Sequence, residues 1–248
     1  MIGRRRNRSS ETPRNPGTIQ EEALRVLRSN LQVALTGLQN PIVLVTSSRA
    51  GEGKTSTCVP LAKSLAAGGQ RVVLVDLDLR HPDAHRVLGA QNERGVSDVL
   101  KGRIPVEKAL QFVQVTSNAG LYFMSTGSWE ENPTELLGKG HTLSLLESLA
   151  AQADVVLIDT PPVLPVADTL VVGRLAAGAL LVVEARKTPL PAVHRAKDAL
   201  TRNQTRILGI VLNRVRTRDA PFLGYAYGYG YGDREEEQEA PAAAGPTI

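Results

Sequence analysis

The fold of this chain is decided by the stretch Ser48-Arg49-Ala50-Gly51-Glu52-Gly53-Lys54-Thr55. An apolar run, residues 42–46, comes directly before it and predicts a buried parallel strand. Residues 56–67, rich in Ala, Leu and Lys, predict a helix that ends at Gly68-Gly69. A strand, a glycine-containing turn and a helix in this order are the context that a phosphate-binding loop requires.

Each part of this loop suits a nucleotide phosphate. Gly51 and Gly53 let the backbone come close to the anion, which the N–H groups of the turn and of the helix N-terminus then face. Lys54 supplies a charge near the β- and γ-phosphates, and the Thr55 hydroxyl can ligate Mg²⁺. The usual pattern opens with Gly, and Ser48 is small enough to make the same turn. The residues predicted to bind the nucleotide here are Ala50, Gly51, Glu52, Gly53, Lys54, Thr55 and Ser56.

Length and composition describe a soluble protein with one α/β domain, because 248 residues suffice for a full core. The net charge of +4 is unevenly spread, with arginines crowding residues 4–14 and glutamates crowding residues 235–239. The basic end suits an acidic membrane surface or nucleic acid, and equally a solvated tail. Cys58 is the only cysteine, which excludes an intrachain disulfide and fits a reducing cytoplasm. We find no signal peptide and no apolar run long enough to span a bilayer.

Apolar runs alternate with helical patterns along the whole chain. We predict strands at 42–46, 71–76, 121–124, 155–159, 180–183 and 207–213. We predict helices at 21–38, 56–67, 95–102, 106–110, 135–151 and 191–203. The alternation predicts an α/β fold with a mostly parallel central sheet, helices on both faces and sites at the carboxyl ends of the strands. The predicted parts are a disordered basic segment (1–17), one domain (18–219) and a flexible tail (220–248) that is first tyrosine-rich and then acidic.

Carboxylates follow two of the predicted strands. Asp76 and Asp78 lie at the end of strand 71–76, and Asp159 ends strand 155–159. Because Mg²⁺ prefers hard oxygen ligands, we predict that Thr55, Asp76 and Asp159 hold it. Phosphoryl transfer depends on positioning and charge neutralisation, to which Lys54 contributes, and a carboxylate near the nucleophile can accept its proton. Asp76 and Asp78 are both candidates for that base, and the sequence does not separate this role from magnesium ligation.

Four of the five tyrosines stand at alternating positions near the C-terminus: Tyr225, Tyr227, Tyr229 and Tyr231. The glycines between most of them let the backbone enter a cleft, and a tyrosine hydroxyl can accept a phosphoryl group. Alone, such a segment is more typical of a low-complexity tail. Beside a magnesium-nucleotide site in the same chain, we predict that these tyrosines are phosphoacceptors.

Together these motifs resemble the bacterial tyrosine kinases of capsule and exopolysaccharide synthesis, often called BY-kinases. The resemblance covers about residues 21–231, and its most specific feature is the tyrosine-rich end, because related ATPases lack it. Its nucleotide motifs, similar to Walker A, a second acidic Walker A′ and Walker B, are Ala50-Gly51-Glu52-Gly53-Lys54-Thr55, Val73-Leu74-Val75-Asp76-Leu77-Asp78-Leu79-Arg80 and Val156-Leu157-Ile158-Asp159-Thr160-Pro161-Pro162. Residues 95–100 and 132–137 are also similar to the family. The resemblance implies the P-loop NTPase fold of the partition and division ATPases.

The same resemblance implies an ATP- and Mg²⁺-dependent kinase that phosphorylates its tail tyrosines in trans within a homo-oligomeric ring. It implies that Arg80, in the second acidic motif, and Asn213, together with Arg214, lie at the nucleotide, the latter two near adenine. The family's Glu-x-x-Arg-x-x-Arg interface motif falls on residues whose three-residue spacing also suits a solvated helix face, namely Glu22, Arg25 and Arg28.

The partners implied by the resemblance are a membrane adaptor of the chain-length regulator type, a cognate phosphotyrosine phosphatase and other protein substrates, with no nucleic acid expected. The kinase would be cytoplasmic and recruited to the inner face of the membrane by this adaptor, which we expect to be a separate polypeptide.

One departure from the family pattern leaves other functions open. Arg49 falls where partition and division-site ATPases carry a signature lysine. A nucleotide-switched dimer that binds membrane or DNA is therefore the alternative, although it would have no need of clustered tyrosines. A catalytically silent nucleotide-binding scaffold is a further alternative.

Overall fold

A computed structural model describes residues 16–138 and 140–216. The first fifteen residues of the predicted basic segment and the whole predicted tail, with Tyr225, Tyr227, Tyr229 and Tyr231, lie outside the described residues. The domain limits 18–219 therefore stay a prediction.

Seven strands form one sheet. They are β1 (Ile42–Ser47), β2 (Val72–Asp76), β3 (Leu110–Thr116), β4 (Ala119–Met124), β5 (Val155–Asp159), β6 (Gly178–Glu184) and β7 (Ile207–Asn213). The helices of the described residues are α1 (Pro16–Leu35), α2 (Lys54–Ala67), α3 (Ala84–Leu88), α4 (Val96–Leu100), α5 (Val106–Ala109), α6 (Pro133–Gly138), α7 (His141–Ala150), α8 (Asp168–Gly173) and α9 (Leu190–Arg202).

The strand order is β3-β4-β2-β5-β1-β6-β7, and every neighbouring pair except β3–β4 is parallel. The three strands that carry the predicted motifs are therefore adjacent, with β5 between β2 and β1. Asp76 and Asp159 are direct register partners, and Val45 pairs with Asp159 near the end of β1. The mostly parallel α/β sheet predicted from the sequence is confirmed.

Alternate residues of the central strands pack into two separate cores, one on each face of the sheet. In β1, Ile42 and Leu44 belong to one core, and Val43 and Val45 belong to the other. The first core includes buried residues of α4, α6, α7 and α9, and the second includes residues of α1 and α2. Burial on both faces explains why β1, β2 and β5 are continuous apolar runs rather than alternating ones.

The structure corrects several predicted elements. A hairpin adds β3 as an antiparallel edge strand that we did not predict, and its half-exposed residues give it a weaker apolar signal than the central strands have. The single helix predicted at 135–151 is two helices, α6 and α7, separated near Gly138 and Gly140. The short helix α3 was also not predicted, whereas α8 lies where the residues before Gly178 predict the end of a helix. The first helix ends at Leu35 rather than at residue 38, and Gly37 follows it with φ 79°.

No helix within residues 16–138 and 140–216 is both long enough and apolar enough to cross a membrane.

Candidate nucleotide-binding and phosphoryl-transfer site

The predicted phosphate-binding loop connects the end of β1, at Ser47, to the start of α2, at Lys54. Gly51 and Gly53 have φ angles of 84° and 91°, in the left-handed region that favours glycine. A side chain at Gly53 would also overlap the amide of Asn213, which packs against it from the end of β7. The loop therefore requires glycine at position 53 for two independent reasons.

The carboxylate of Glu52 is turned inward and closes the loop on itself. It accepts hydrogen bonds from the N–H groups of Ser48 (2.8 Å) and Arg49 (3.0 Å), from the Ser48 hydroxyl (2.8 Å) and from the Thr188 hydroxyl (2.7 Å). Glu52 is only 4% exposed. Its side chain thus holds the loop in shape, and its contribution to phosphate binding is left to its backbone N–H. The same bonds explain why Ser48 stands where the usual phosphate-loop pattern has glycine, because the Ser48 hydroxyl supplies a hydrogen-bond donor that glycine lacks.

Three carboxylates surround the Lys54 ammonium group below the loop. Lys54 Nζ lies 2.8 Å from Asp78 Oδ2 in an ion pair in which both side chains are largely buried. Asp76 and Asp159 complete the group at the ends of β2 and β5, and each is at most 1% exposed. One positive charge among three acidic side chains leaves the site short of positive charge, as suits a place where a cation binds.

Hydrogen bonds fix Asp76 rigidly. Its Oδ1 accepts from the N–H of Asp78 (3.2 Å), and its Oδ2 accepts from the N–H groups of Asp83 (3.2 Å) and Ala84 (3.1 Å). Asp78 in turn accepts from the N–H of His81 at 3.0 Å. Asp76 therefore organises the turn between β2 and α3, which carries Asp78 to Lys54.

Burial dominates the electrostatics of this site. It raises the pKa of Asp76 to about 8, with the charge of Asp159 adding to the rise and backbone N–H donors opposing it. Burial likewise raises the pKa of Asp159 to about 6, against the charge of Lys54 and the nearby Thr55 hydroxyl. Burial by itself would lower the pKa of Lys54, but the negative charges of Asp159, Asp78 and Asp76 outweigh it and raise that pKa.

Asp159 provides the test of whether magnesium fits. Both of its carboxylate oxygens are buried, and neither has a hydrogen-bond partner among the described residues. No group of three His, Cys, Asp or Glu side chains in the described ranges could hold a metal ion by itself. Mg²⁺ usually retains several waters and binds one or two carboxylates together with substrate phosphates. Asp159, the Thr55 hydroxyl and Asp76 therefore fit Mg²⁺ that arrives with a nucleotide, not a resident metal.

Two other predicted binding residues have protein partners. Arg80 forms a two-point pair with the buried carboxylate of Asp168 (2.7 and 3.1 Å) and donates to Thr134 (3.0 Å). Asn213 donates from Nδ2 to the carbonyl of Glu52 at 3.0 Å. Both residues thus stabilise the site from outside, Arg80 at the β2–α3 turn and Asn213 at the loop. Ser56 donates to the carbonyl of Gly53 at the start of α2 and is exposed.

The residues predicted as a subunit interface divide into two kinds. Arg25 pairs with Glu22 across one helical turn, and both side chains are more than half exposed. Arg28 is half-buried and donates to the carbonyl of Ser64 in the last turn of α2 at 2.9 Å. The structure therefore gives Arg28 a role inside the subunit that the regular spacing did not reveal.

Sequence reasoning missed Thr188, which reaches Glu52 from the loop between β6 and α9, and Asp168, which holds Arg80. A threonine or an aspartate near a helix start carries no local signal of a partner more than eighty residues away.

Comparison with known proteins places the chain in a family. A family model described as ParA, NUBPL iron-transfer P-loop NTPase, matches residues 39–221. The tyrosine-protein kinase YwqD of Bacillus subtilis is 34% identical over 215 residues, which cover 84% of this chain and 90% of YwqD. The putative tyrosine-protein kinase AmsA of Erwinia amylovora is 36% identical over 85% of this chain, and a putative tyrosine-protein kinase in the cps region of Klebsiella pneumoniae is 30% identical over 81%. The matches span only 29% and 27% of these two longer relatives.

Solved structures are similar over the same part of the chain. The kinase domain of the Escherichia coli tyrosine kinase ETK is 32% identical, with a TM-score of 0.73, and the match covers 85% of this chain and 80% of that one. The chimerical protein CapA2B2 is 28% identical, with a TM-score of 0.74, over 84% and 88% of the two chains. The cell division ATPase MinD of Pyrococcus furiosus is 26% identical, with a TM-score of 0.61, over 74% and 79%.

YwqD is matched over nearly its full length, and the ETK kinase domain over most of its own. The chain belongs to the bacterial tyrosine-protein kinase family, which is built on a ParA-type P-loop NTPase fold.

Proposed function

We propose that this chain is an ATP-dependent tyrosine kinase that phosphorylates its own C-terminal residues Tyr225, Tyr227, Tyr229 and Tyr231. The observation that carries the proposal is the buried Asp159 carboxylate, which lacks a hydrogen-bond partner in the described part of the chain and lies beside Lys54 under a preformed phosphate loop. Family membership supports the reaction class, and the clustered tyrosines supply the acceptor.

ATP would bind with its β- and γ-phosphates at the N–H groups of the loop and of the first turn of α2. Lys54 would leave its ion pair with Asp78 to reach these phosphates. Asp159 and the Thr55 hydroxyl would hold Mg²⁺, with Asp76 beside them. When bound, this ion neutralises charge on the phosphoryl oxygens.

In the transfer step, the tyrosine oxygen forms a bond to the γ-phosphorus while the bond from that phosphorus to the bridging oxygen of ADP breaks. The phenolic proton needs an acceptor, and Asp78 is the better placed of the two candidates. Both oxygens of Asp76 are held by backbone N–H groups. Asp78 is held mainly by Lys54 and becomes available once that lysine moves to the phosphates.

The remaining parts of the proposal concern assembly and setting. We propose phosphorylation in trans within a homo-oligomeric ring, control by a membrane adaptor of the chain-length regulator type, and reversal by a phosphotyrosine phosphatase. The kinase would act at the inner face of the membrane in capsule or exopolysaccharide production. The family resemblance and the named cps-region relative support this setting.

The test is to incubate the full chain with Mg²⁺ and labelled ATP and to map phosphosites by mass spectrometry. We expect label on the tail tyrosines and none in Lys54→Met. Asp78→Asn should lower the transfer rate without weakening ATP binding, because it removes the proton acceptor and also releases Lys54 from the ion pair that competes with the phosphates. Nucleotide-dependent binding to lipid or DNA with no phosphotyrosine would instead support an ATPase switch. This alternative is considered because the cell division ATPase MinD has a similar fold. Bound nucleotide without any turnover would support a silent scaffold.

A further inference from the structure

Arg214, the residue directly after β7, contacts the outer side of the phosphate loop. Its Nη1 donates to the carbonyl of Gly51 at 2.9 Å and lies 3.0 Å from Glu184 Oε2 at the end of β6. The backbone of Arg214 has φ 57°, a left-handed conformation that costs a non-glycine residue energy. A strained residue bonded to a functional loop indicates that its placement matters there.

The geometry of the peptide group gives this contact its meaning. In a planar trans peptide, the N–H of a residue points opposite to the carbonyl of the residue before it. Because Arg214 holds the Gly51 carbonyl, it directs the N–H of Glu52 away from itself. Asn213 holds the Glu52 carbonyl at 3.0 Å and orients the N–H of Gly53 in the same manner.

The N–H of Lys54, the next in the chain, is oriented by the first hydrogen bond of α2. The carbonyl of Gly53 accepts the N–H of Thr57 at 3.0 Å, as the start of α2 requires, so the N–H of Lys54 points out of the helix N-terminus. Three successive N–H groups, of residues 52–54, are thus oriented by contacts on their carbonyls. Free N–H groups at such a turn form an anion cradle.

The anchor of Arg214 is itself tied to the loop. Glu184 donates its backbone N–H to the Thr188 hydroxyl at 3.0 Å, and that hydroxyl donates to Glu52 Oε1 at 2.7 Å. Two contacts therefore link the segment after β6 to the phosphate loop. Glu184 pairs with Arg214, which bonds to the Gly51 carbonyl, and Thr188 bonds to the Glu52 carboxylate.

We propose that Arg214 is a positioning residue for phosphate binding, anchored by Glu184, that orients the loop N–H groups without touching the nucleotide. The inference rests on the proposed ATP binding and adds to it a device that prepares the phosphate site before the ligand arrives. A preorganised cradle binds phosphate more tightly because no orientation has to be acquired on binding.

The experiment uses the full chain with Mg²⁺ and measures affinity for ATP and for inorganic tripolyphosphate by calorimetry. We expect Arg214→Ala to weaken both by the same factor, roughly tenfold, the usual scale for a hydrogen bond from a charged group. Arg216→Ala removes the same charge from an exposed position two residues away and should leave both affinities unchanged. A loss confined to ATP would overturn the proposal, because it would mean that Arg214 contacts adenine.

Glu184→Gln separates positioning from bulk charge. Removing a negative charge near the site should by itself tighten the binding of an anion, whereas loosening the anchor of Arg214 should weaken it. We expect weaker tripolyphosphate binding, and binding that is equal or tighter would overturn the proposal. Urea unfolding of each variant identifies a purely structural role, in which the unfolding midpoint falls and the affinity does not.

The two proposals fail in different ways. If the unmodified chain binds neither ATP nor tripolyphosphate, the proposed function fails. If it binds both and Arg214→Ala binds them equally well, the proposed function stands and the role of Arg214 is refuted.

Discussion

Asp159 is buried at the end of β5 with both carboxylate oxygens lacking a hydrogen-bond partner among the described residues. A buried carboxylate without such partners is costly, and the nearby Lys54 ammonium offsets only part of that cost. A residue kept in this state at a strand end indicates that binding, not stability, determines its identity.

Asp159→Asn should therefore stabilise the nucleotide-free protein, by on the order of 1 kcal/mol, because the amide carries no charge to bury. The same change should abolish the increase in ATP affinity that Mg²⁺ provides. Urea titration with a chelator measures the first effect, and calorimetry with and without Mg²⁺ measures the second. Asp154→Asn, at an exposed site before the same strand, is the control for affinity. A variant that keeps the Mg²⁺ effect would contradict the assignment.

The raised pKa values of Asp76 and Asp159 predict how stability depends on pH. Between about pH 4 and pH 8 the folded protein holds protons on these groups that the unfolded chain has released, since Asp76 titrates at about 8 and Asp159 at about 6. Their contribution to stability is therefore present at low pH and is lost as the pH rises through these values.

Without nucleotide and with a chelator, the urea midpoint should fall between pH 5 and pH 8.5, and Asp76→Asn should flatten that fall. The charged groups facing Asp76 are Lys54, Asp78 and Asp159. Because these groups also affect stability as the pH changes, the unmodified protein and Asp76→Asn are compared over the whole pH range. An equally steep fall in Asp76→Asn would mean that other groups cause it.

At the scale of elements, α1 is fastened to α2 by Arg28. Its guanidinium donates to the Ser64 carbonyl at the C-terminal turn of α2, where the helix dipole favours a positive charge. Arg25 is one turn away and exposed, and it pairs with Glu22. Neighbouring arginines on one helix therefore have different roles.

Arg28→Ala should lower the free energy of unfolding by about 1–2 kcal/mol, because it removes a charged hydrogen bond to a helix terminus. Arg25→Ala should leave the urea midpoint unchanged, because exposed ion pairs contribute little. If residues 22 and 25 form the proposed subunit contact, Arg25→Ala should nevertheless reduce the assembly mass in light scattering. An unchanged mass would make this stripe a solvated helix face.

The position of each strand in the sheet explains which strands the sequence predicts and which it does not. Central strands such as β2 and β5 are buried on both faces and therefore stand out as apolar runs. The edge strand β3 is half-exposed along its length and pairs only with β4, so its alternating pattern gives a weaker strand signal than a continuous apolar run.

At the scale of the whole molecule, Tyr122 differs from the four tail tyrosines because it lies in a strand of the described sheet. Tyr122 lies in β4, which is hydrogen-bonded to β2 on one side and to β3 on the other. Its ring packs edge-on against Phe112 with centroids 5.6 Å apart, and half of its surface is exposed. Tyr122 is therefore a half-exposed tyrosine whose backbone is held in the sheet on both sides and cannot extend into a neighbour's site.

Changing all four tail tyrosines to phenylalanine should abolish phosphotyrosine, although Tyr122 remains. Tyr122→Phe should leave the labelling unchanged and serves as the matched control. Phosphopeptide mapping by mass spectrometry distinguishes the two outcomes. Label on Tyr122 would show that a tyrosine held within the sheet can be the acceptor and would contradict the assignment of the acceptor sites.

The sequence by itself determined the features that depend on near neighbours in the chain. Strand, loop and helix around Lys54 were predictable because apolar runs, glycines and a helix pattern report local structure. The convergence of Asp76 and Asp159 was predictable because the carboxyl ends of parallel strands share one edge. The acceptor role of the tail tyrosines was also drawn from sequence and stays a prediction.

Only the tertiary structure decided what the neighbouring side chains do. Glu52 turned out to brace the loop through Thr188, Arg80 to hold Asp168, and Arg214 to hold a loop carbonyl. These partners are 136, 88 and 163 residues apart in the chain. Hydrogen bonds over such separations depend on strand order and on the path of loops, and no local propensity encodes either of them.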